Sequence, residues 1–437
     1  MTLAAVPGGA RAADPWSAPS DITGATIAAP PLVSFSRIGA GLAVWPNYAA
    51  QGPLPASRWS GQGFGAAGPL SGSLLLDPFA GGVTVYGRQR LAAAGRTRSG
   101  QPAAALGSVE GGLGETSRLS TARANGVAVT SNVDGFVAVA FTDRHGVHLS
   151  ARRPGRRFPR AVLVSRTRSA SFPAVATNVH GDVLVGWYQR GRVLSRFRSA
   201  AGHFERLRDV GPAAGGRLRL SLSLSKRRRA LAAWTSEPVS EALATGPAIQ
   251  SVSYASRRAR FGKRQVLETF DDAPFTAQPG TGYVEGIGIA AAFATTGEPL
   301  VTWTGRTGDF HVVRATRIVD GRPEAAQTLS APGREAEVQG LALGPLGEAL
   351  AVWTEAPDQV ASNTTVLAAP RAAGTGAFGA AEQVSADGDA VSPGGGSFYL
   401  VSATGAIDPA SARPVVIWIA GQPGSAVLRQ AVREPLG

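Results

Sequence analysis

The side chains best suited to chemistry are carboxylates in long polar segments: Glu237, Glu241, Asp271, Asp272, Glu355, Asp358, Asp387 and Asp389. Two carboxyl groups held ~5 to 9.5 Å apart can serve as acid and base on a glycosidic bond. Several converging oxygens can instead hold Ca²⁺. No ligand spacing such as an EF-hand loop is present, so solvated loop charge is the plain reading and Ca²⁺ the one cofactor left open. The chain has no cysteine, which excludes disulfides, thiolate metal sites and a thiol nucleophile. Its five histidines (His145, His148, His180, His203 and His311) are nowhere paired at zinc spacing. No G-x-S-x-G elbow occurs. Two glycine-rich stretches, GFGAAG at 63–68 and GTGAFG at 374–379, open no helix that could cradle a phosphate, and they read as hairpin turns. No catalytic residue and no metal ligand is assigned.

A second signal is cationic. The chain carries 43 Lys+Arg against 30 Asp+Glu, a formal net charge of +13. Residues 144–264 hold 25 basic and 5 acidic groups, leaving 18 and 25 for the rest, so the total conceals two regions of opposite sign. The clusters are Arg152, Arg153, Arg156 and Arg157; Lys226, Arg227, Arg228 and Arg229; and Arg257, Arg258, Arg260, Lys263 and Arg264. Such a patch attracts an anionic polymer by counterion release, without reading bases. No aromatic platform or recognition helix accompanies it, so sequence-specific nucleic-acid binding is not expected. The competing reading is a solvated arginine-rich rim, since only two of the 43 basic residues, Lys226 and Lys263, are lysine, as high-GC coding would give.

These residues must be positioned by strands. Gly (56) and Pro (30) are plentiful, and short apolar runs alternate with turn residues. No apolar run approaches the ~18 residues a membrane span needs. Ala10-Arg11-Ala12 looks like a signal-peptide cleavage site without its preceding regions, so residues 1–13 are expected to be a leader remnant or a flexible terminus.

Two anchors recur. The first is an aromatic closing an apolar strand six positions after a turn glycine: Gly39 with Trp45, Gly135 with Phe141, Gly181 with Trp187, Gly297 with Trp303 and Gly347 with Trp353. Tyr86, Trp234 and Trp418 close similar runs without that glycine, which makes eight units. Runs such as LVGW and VVIW are apolar on both alternating faces, so this strand should be covered on both sides. The second anchor is an aromatic followed by a hydroxyl residue seven positions later: Phe64 to Ser71, Phe158 to Ser165, Phe378 to Ser385. An isolated copy, WSAPSDIT at residues 16–23, lacks preceding strands, and the unit around Trp418 ends without a fourth strand. The two defects fit each other. The expected fold is an all-β, closed β-propeller of about eight four-stranded blades, one domain over residues 14–437, with the N-terminal strand completing the last blade. The doubtful unit is the second, whose fourth strand is placed at Pro102–Ser108. Without it the ring has seven blades; tandem β-sandwiches are the other alternative.

Over nearly its full length the chain resembles bacterial extracytoplasmic β-propeller repeat proteins, whose repeats read as a turn, then V-x-W-T, a basic strand and an aromatic hairpin. It departs from WD repeats, having no Gly-His and Trp-Asp pair, and from the S-x-D-x-G-x-x-W turn of sialidase-like propellers, so neither family's catalytic residues transfer. The resemblance is to an architecture; the function expected of it is that of a secreted or surface-associated propeller that binds a polysaccharide, a cell-envelope polymer or a protein without chemistry of its own. The alternative is a carbohydrate-active hydrolase or lyase using the loop carboxylates. A monomer is expected.

Overall fold

The computed structural model describes residues 15–23, 31–45, 54–70, 74, 81–213, 216–238, 248–256, 260–270, 288–357, 364–389, 403–421 and 426–436. Among these residues every regular element is a strand, and the strands form eight antiparallel sheets. In each sheet four strands, a to d, follow the chain as a meander, except that two two-residue strands, Arg322–Pro323 and Gln327–Thr328, share the outer position of the sixth blade, and that the eighth blade is completed from elsewhere in the chain. The third blade shows the pattern: Ala124–Ser131, Val137–Asp143, Gly146–Arg152 and Val162–Arg166. Its second strand is buried at every position, as its two apolar faces require. Ala349–Ala356, the equivalent strand of the seventh blade, is likewise buried throughout.

The ring closes through the innermost strands. Each strand a touches strand a of the next blade, and the eighth, Ala403–Asp408, touches the first, Leu32–Phe35. The spaces between blades are filled by the aromatic anchors. Trp45, Trp187, Trp234, Trp353 and Trp418 are among the largest fully buried side chains. Trp45 packs with Ile417 and Leu428 between the first and eighth blades, and Trp418 packs with Leu350 and Val366 between the eighth and seventh. The second anchor works at the c–d hairpin, where Phe64 bridges back to Trp59, as Phe204 and Phe261 bridge back to Arg198 and Ala255 in the fourth and fifth blades.

The N-terminal strand Ser20–Thr23 pairs antiparallel with Val427–Val432, with Ser20 opposite Gln430 and Asp21 opposite Arg429. Trp16 bridges Arg433 just beyond. The eighth blade therefore takes its outer strand from the other end of the chain. Gln430 finishes the seam: its side-chain amide accepts from Phe64 N at 2.7 Å and donates to Phe64 O at 2.8 Å. Gln327 and Phe378 repeat that pairing between the sixth and seventh blades, at 2.9 and 2.8 Å.

The second blade is complete but differs from its expected layout. Its strands are Gly82–Tyr86, Arg90–Arg96, Pro102–Ser108 and Gly112–Arg118. Tyr86 thus ends strand a rather than strand b, and Pro102–Ser108 is the third strand, not the fourth. Strand b here carries Ala-Ala-Ala-Gly before its final Arg96. Alanines suffice because the strands pack closely: Ala92, Ala93, Ala94, Ala103 and Ala104 are fully buried.

Candidate ligand-binding face

A four-stranded meander sends its a–b and c–d turns to one side of the ring and its b–c and d–a connections to the other. The basic clusters fall on the first side. Residues 153–160 connect strands c and d of the third blade. Residues 225–229 form the a–b turn of the fifth blade, between Gly216–Leu224 and Ala230–Pro238. Arg260, Lys263 and Arg264 lie before strand d of that blade, Gln265–Phe270.

Their environments differ. Arg153, Arg156, Arg157, Arg160, Lys226, Arg227, Arg260 and Lys263 are exposed, while Arg228, Arg229 and Arg264 are half-buried. Arg152 is buried, and its guanidinium donates to Gly135 O at 3.2 Å, to Tyr86 Oη at 3.4 Å and to Arg156 O. Its charge serves the blade rather than the surface. Arg228 Nε donates at 2.9 Å to Asp182, which is fully buried. Arg257 and Arg258 lie outside the described residues. Arg153 of the third blade reaches onto the fourth, its Nη2 donating to Ala200 O of the c–d turn at 3.4 Å. Burial first, and the nearby Arg153 second, hold the Arg198 guanidinium below the ordinary arginine range.

The a–b turns form a linked inner rim. Asn132 Oδ1 caps its own turn, accepting from Phe136 N at 2.9 Å, while Nδ2 donates at 3.0 Å to Asn178 O in the fourth blade. Asn178 repeats this one blade on, donating at 3.2 Å to Ser225 O. Gly135 and Gly181 take φ of +87° and +79°, a left-handed turn conformation that suits glycine.

Beside the fifth blade this face opens into a cleft of about 980 Å³ at the junction with the sixth and seventh blades. Arg229, Arg260, Lys263, Arg317, Arg322 and Arg371 line it, against Glu298 and Asp320. Glu298 takes Arg371 Nη2 at 2.5 Å and Arg317 Nη1 at 3.2 Å. Arg317 is held above the ordinary arginine range, first by its hydrogen bond to Glu324. The sequence clusters had captured only the fifth-blade residues of this cleft. The missed signal is positional. Arg152, Arg198 and Arg371 each pair with the first residue of strand b, Val137, Val183 and Ala349, so an arginine at the end of strand c recurs in three blades.

On the opposite face, Glu355, Asp387 and Asp389 are engaged internally. Glu355 accepts from Trp353 Nε1 at 3.1 Å and lies 2.8 Å from Arg334 Nε. Asp389 accepts from Trp418 Nε1 at 3.0 Å and pairs with Arg429. Asp387 accepts from Thr365 Oγ1 and Gln383 Nε2, each at 3.2 Å. Glu237 sits in strand b of the fifth blade opposite Arg217. Glu241, Asp271, Asp272 and Asp358 lie outside the described residues. Among the described residues no group of three His, Asp or Glu side chains is placed to hold a metal ion. Glu268 was not anticipated. Burial raises its carboxyl above the usual glutamate range, opposed by Arg314, whose Nη1 donates to it at 2.6 Å.

No family model matches this sequence, and no curated protein matches it. Solved structures do match in fold. A lectin from Burkholderia pseudomallei superposes with a TM-score of 0.52 at 11% identity, over 82% of this chain and 99% of that one. The polysaccharide lyase Uly1 gives 0.44 at 9% identity, over 96% and 99%. AofleA from Arthrobotrys oligospora gives 0.42 at 10% identity, over 72% and 90%. The lectin's superposition agrees with the propeller fold, and at 11% identity it shows nothing about ligands. No helix among the described residues is long and apolar enough to cross a membrane.

Proposed function

We propose that this propeller is an extracytoplasmic binding module whose a–b and c–d face takes an anionic polymer. The observation that carries the reading is the run of exposed cations on that one face, from Arg153, Arg156, Arg157 and Arg160 through Lys226 and Arg227 to Arg260 and Lys263. Closely spaced fixed charges gain affinity for a polyanion by releasing its condensed counterions. The absence of a recognition helix among the described elements fits charge-based rather than base-specific capture. Engagement of Glu355, Asp387 and Asp389 by indoles, amides and guanidinium groups supports binding over a carboxylate-driven hydrolase or lyase.

The test compares the two faces at equal charge. Arg156→Glu with Arg157→Glu alters a c–d turn, whereas Arg144→Glu with Arg168→Glu alters the b–c and d–a connections of the same blade. The first pair is expected to elute from a heparin matrix at clearly lower salt than the parent protein and the second close to the parent. An equal shift from both pairs, or no retention of the unaltered protein, would overturn the reading.

A further inference from the structure

The cleft at the junction of the fifth, sixth and seventh blades has features that a merely charged surface does not need. Its volume of about 980 Å³ is at the upper end of the ~300–1,000 Å³ typical of small-ligand sites. The a–b turn of the sixth blade, residues 294–298, lies between guanidinium groups from both sides. Arg229 comes from the fifth blade: a Cβ added to Gly297 would meet its Nη2 at 2.7 Å. Arg371 comes from the seventh, is 2% exposed and is bonded to Glu298.

The charges do not balance. Six cations among the described residues line the space against two carboxylates, Glu298 and Asp320; Glu298 answers Arg371 and Arg317, and Glu324 answers Arg317 again. Among the described residues Arg229, Arg260, Lys263 and Arg322 have no carboxylate partner, and Nε of Arg229 is buried without a hydrogen-bond acceptor. A guanidinium with no carboxylate beside it, in a walled cleft lined by other cations, keeps its charge available to an anionic group entering from solution. The walls are partly apolar. Tyr254, Ile318 and the exposed Val319 line the same space. An aromatic ring beside cations offers a sugar a surface for its apolar face while the charges fix its anionic group.

We propose that this cleft is a subsite for an acidic sugar residue, its sulfate or carboxylate on Arg229 with Lys263 alongside, and its ring face against Tyr254. This rests on the anionic-polymer reading and adds to it a discrete place where one residue of the polymer is recognised.

The experiment is calorimetric titration of the full chain with a heparin tetrasaccharide, a tetragalacturonate, neutral cellotetraose and an oligothymidylate of matched charge. One site is expected for an acidic tetrasaccharide and none for cellotetraose. The heparin fragment binding alone would identify sulfate, and tetragalacturonate binding with it would identify the carboxylate as sufficient. Arg229→Gln, Lys263→Gln and Tyr254→Ala should each weaken that site by about 10-fold or more, the value of one charge-assisted contact. Arg156→Gln with Arg157→Gln should leave it unchanged while weakening long heparin. If Tyr254→Ala fails to fold, the exposed Lys263→Gln decides. Long heparin binding with neither acidic tetrasaccharide binding would overturn the subsite and leave the polymer reading standing; failure of both would overturn the two together. Tighter binding of the oligothymidylate than of either acidic sugar would assign the cleft to single-stranded nucleic acid and overturn the proposal.

Discussion

Trp16 Nε1 donates a hydrogen bond to Glu382 Oε2 at 2.9 Å, joining the N-terminal segment of the eighth blade to the outer strand of the seventh. Arg433, paired with Trp16 through the backbone, places two more donors on the same carboxylate, each at 2.7 Å. The indole itself is 5% exposed and packs in the core shared by these blades. Closure is therefore tied across two blades. Trp16→Ala is expected to lower stability by about 3–5 kcal/mol, the usual range for emptying a buried aromatic site. Deleting residues 1–23 should expose Val427–Val432 as an open edge, lower the melting temperature and promote aggregation. Calorimetry with light scattering checks both. A truncated chain that melts with the full-length protein would contradict the account.

Asp182 ties three neighbouring turns. It accepts from Asn178 Nδ2 at 3.0 Å, Ala200 N at 2.9 Å and Arg228 Nε at 2.9 Å. Asp182→Ala should cost roughly 2–3 kcal/mol, because buried donors lose a charged acceptor and the exposed half of Arg228 limits the remainder. Equilibrium urea unfolding measures it. An effect below about 0.5 kcal/mol, the level of an ordinary surface change, would show that the turns hold without this carboxylate.

Glu268 sets a pH dependence. Its folded-state carboxyl is raised above the unfolded value by burial, with Arg314 opposing, so the folded chain holds that proton more tightly. Stability from this group is present below the unfolded value of about 4.3 and is lost as pH rises through the raised folded value. Glu268→Gln should therefore gain stability relative to the parent protein between pH 4 and neutrality. Melting temperatures of both proteins across that range give the difference, and a gap that narrows as pH rises would contradict the assignment.

Much of the architecture was legible. Turn glycines and doubly apolar runs report strand b because a covered strand must be apolar on both faces, and the orphan segment at residues 16–23 announced the closing strand. The second blade was misplaced by one strand because its strand b carries alanines where other blades carry an aromatic, leaving Tyr86 of strand a as the visible marker. The site was less legible. Arg152 sits in a basic cluster yet turns inward onto Gly135, a choice made by geometry rather than composition. The cleft draws Arg229, Arg317 and Arg371 from three blades, and each alone reads as an ordinary surface arginine.

The carboxylates of the other face allow a separate check. Glu355 is buried with Trp353 Nε1 as its donor, so Glu355→Ala should lower stability by about 1–3 kcal/mol and leave polymer binding unchanged. Thermal melts and heparin affinity, measured on one preparation, separate the two. Lost binding with intact stability would move the site to that face.

The central claim is that exposed cations of the a–b and c–d face hold the polymer by counterion release. Its most direct measurement is the slope of log affinity against log salt for long heparin, in the parent protein and in a variant with Arg153, Arg156, Arg157, Arg160, Lys226 and Arg227 all changed to Gln. The parent slope should be steeply negative, and the variant's should be shallower by roughly 0.7–0.9 for each charge contact removed. A flat parent slope, or the same slope in both proteins, would contradict it.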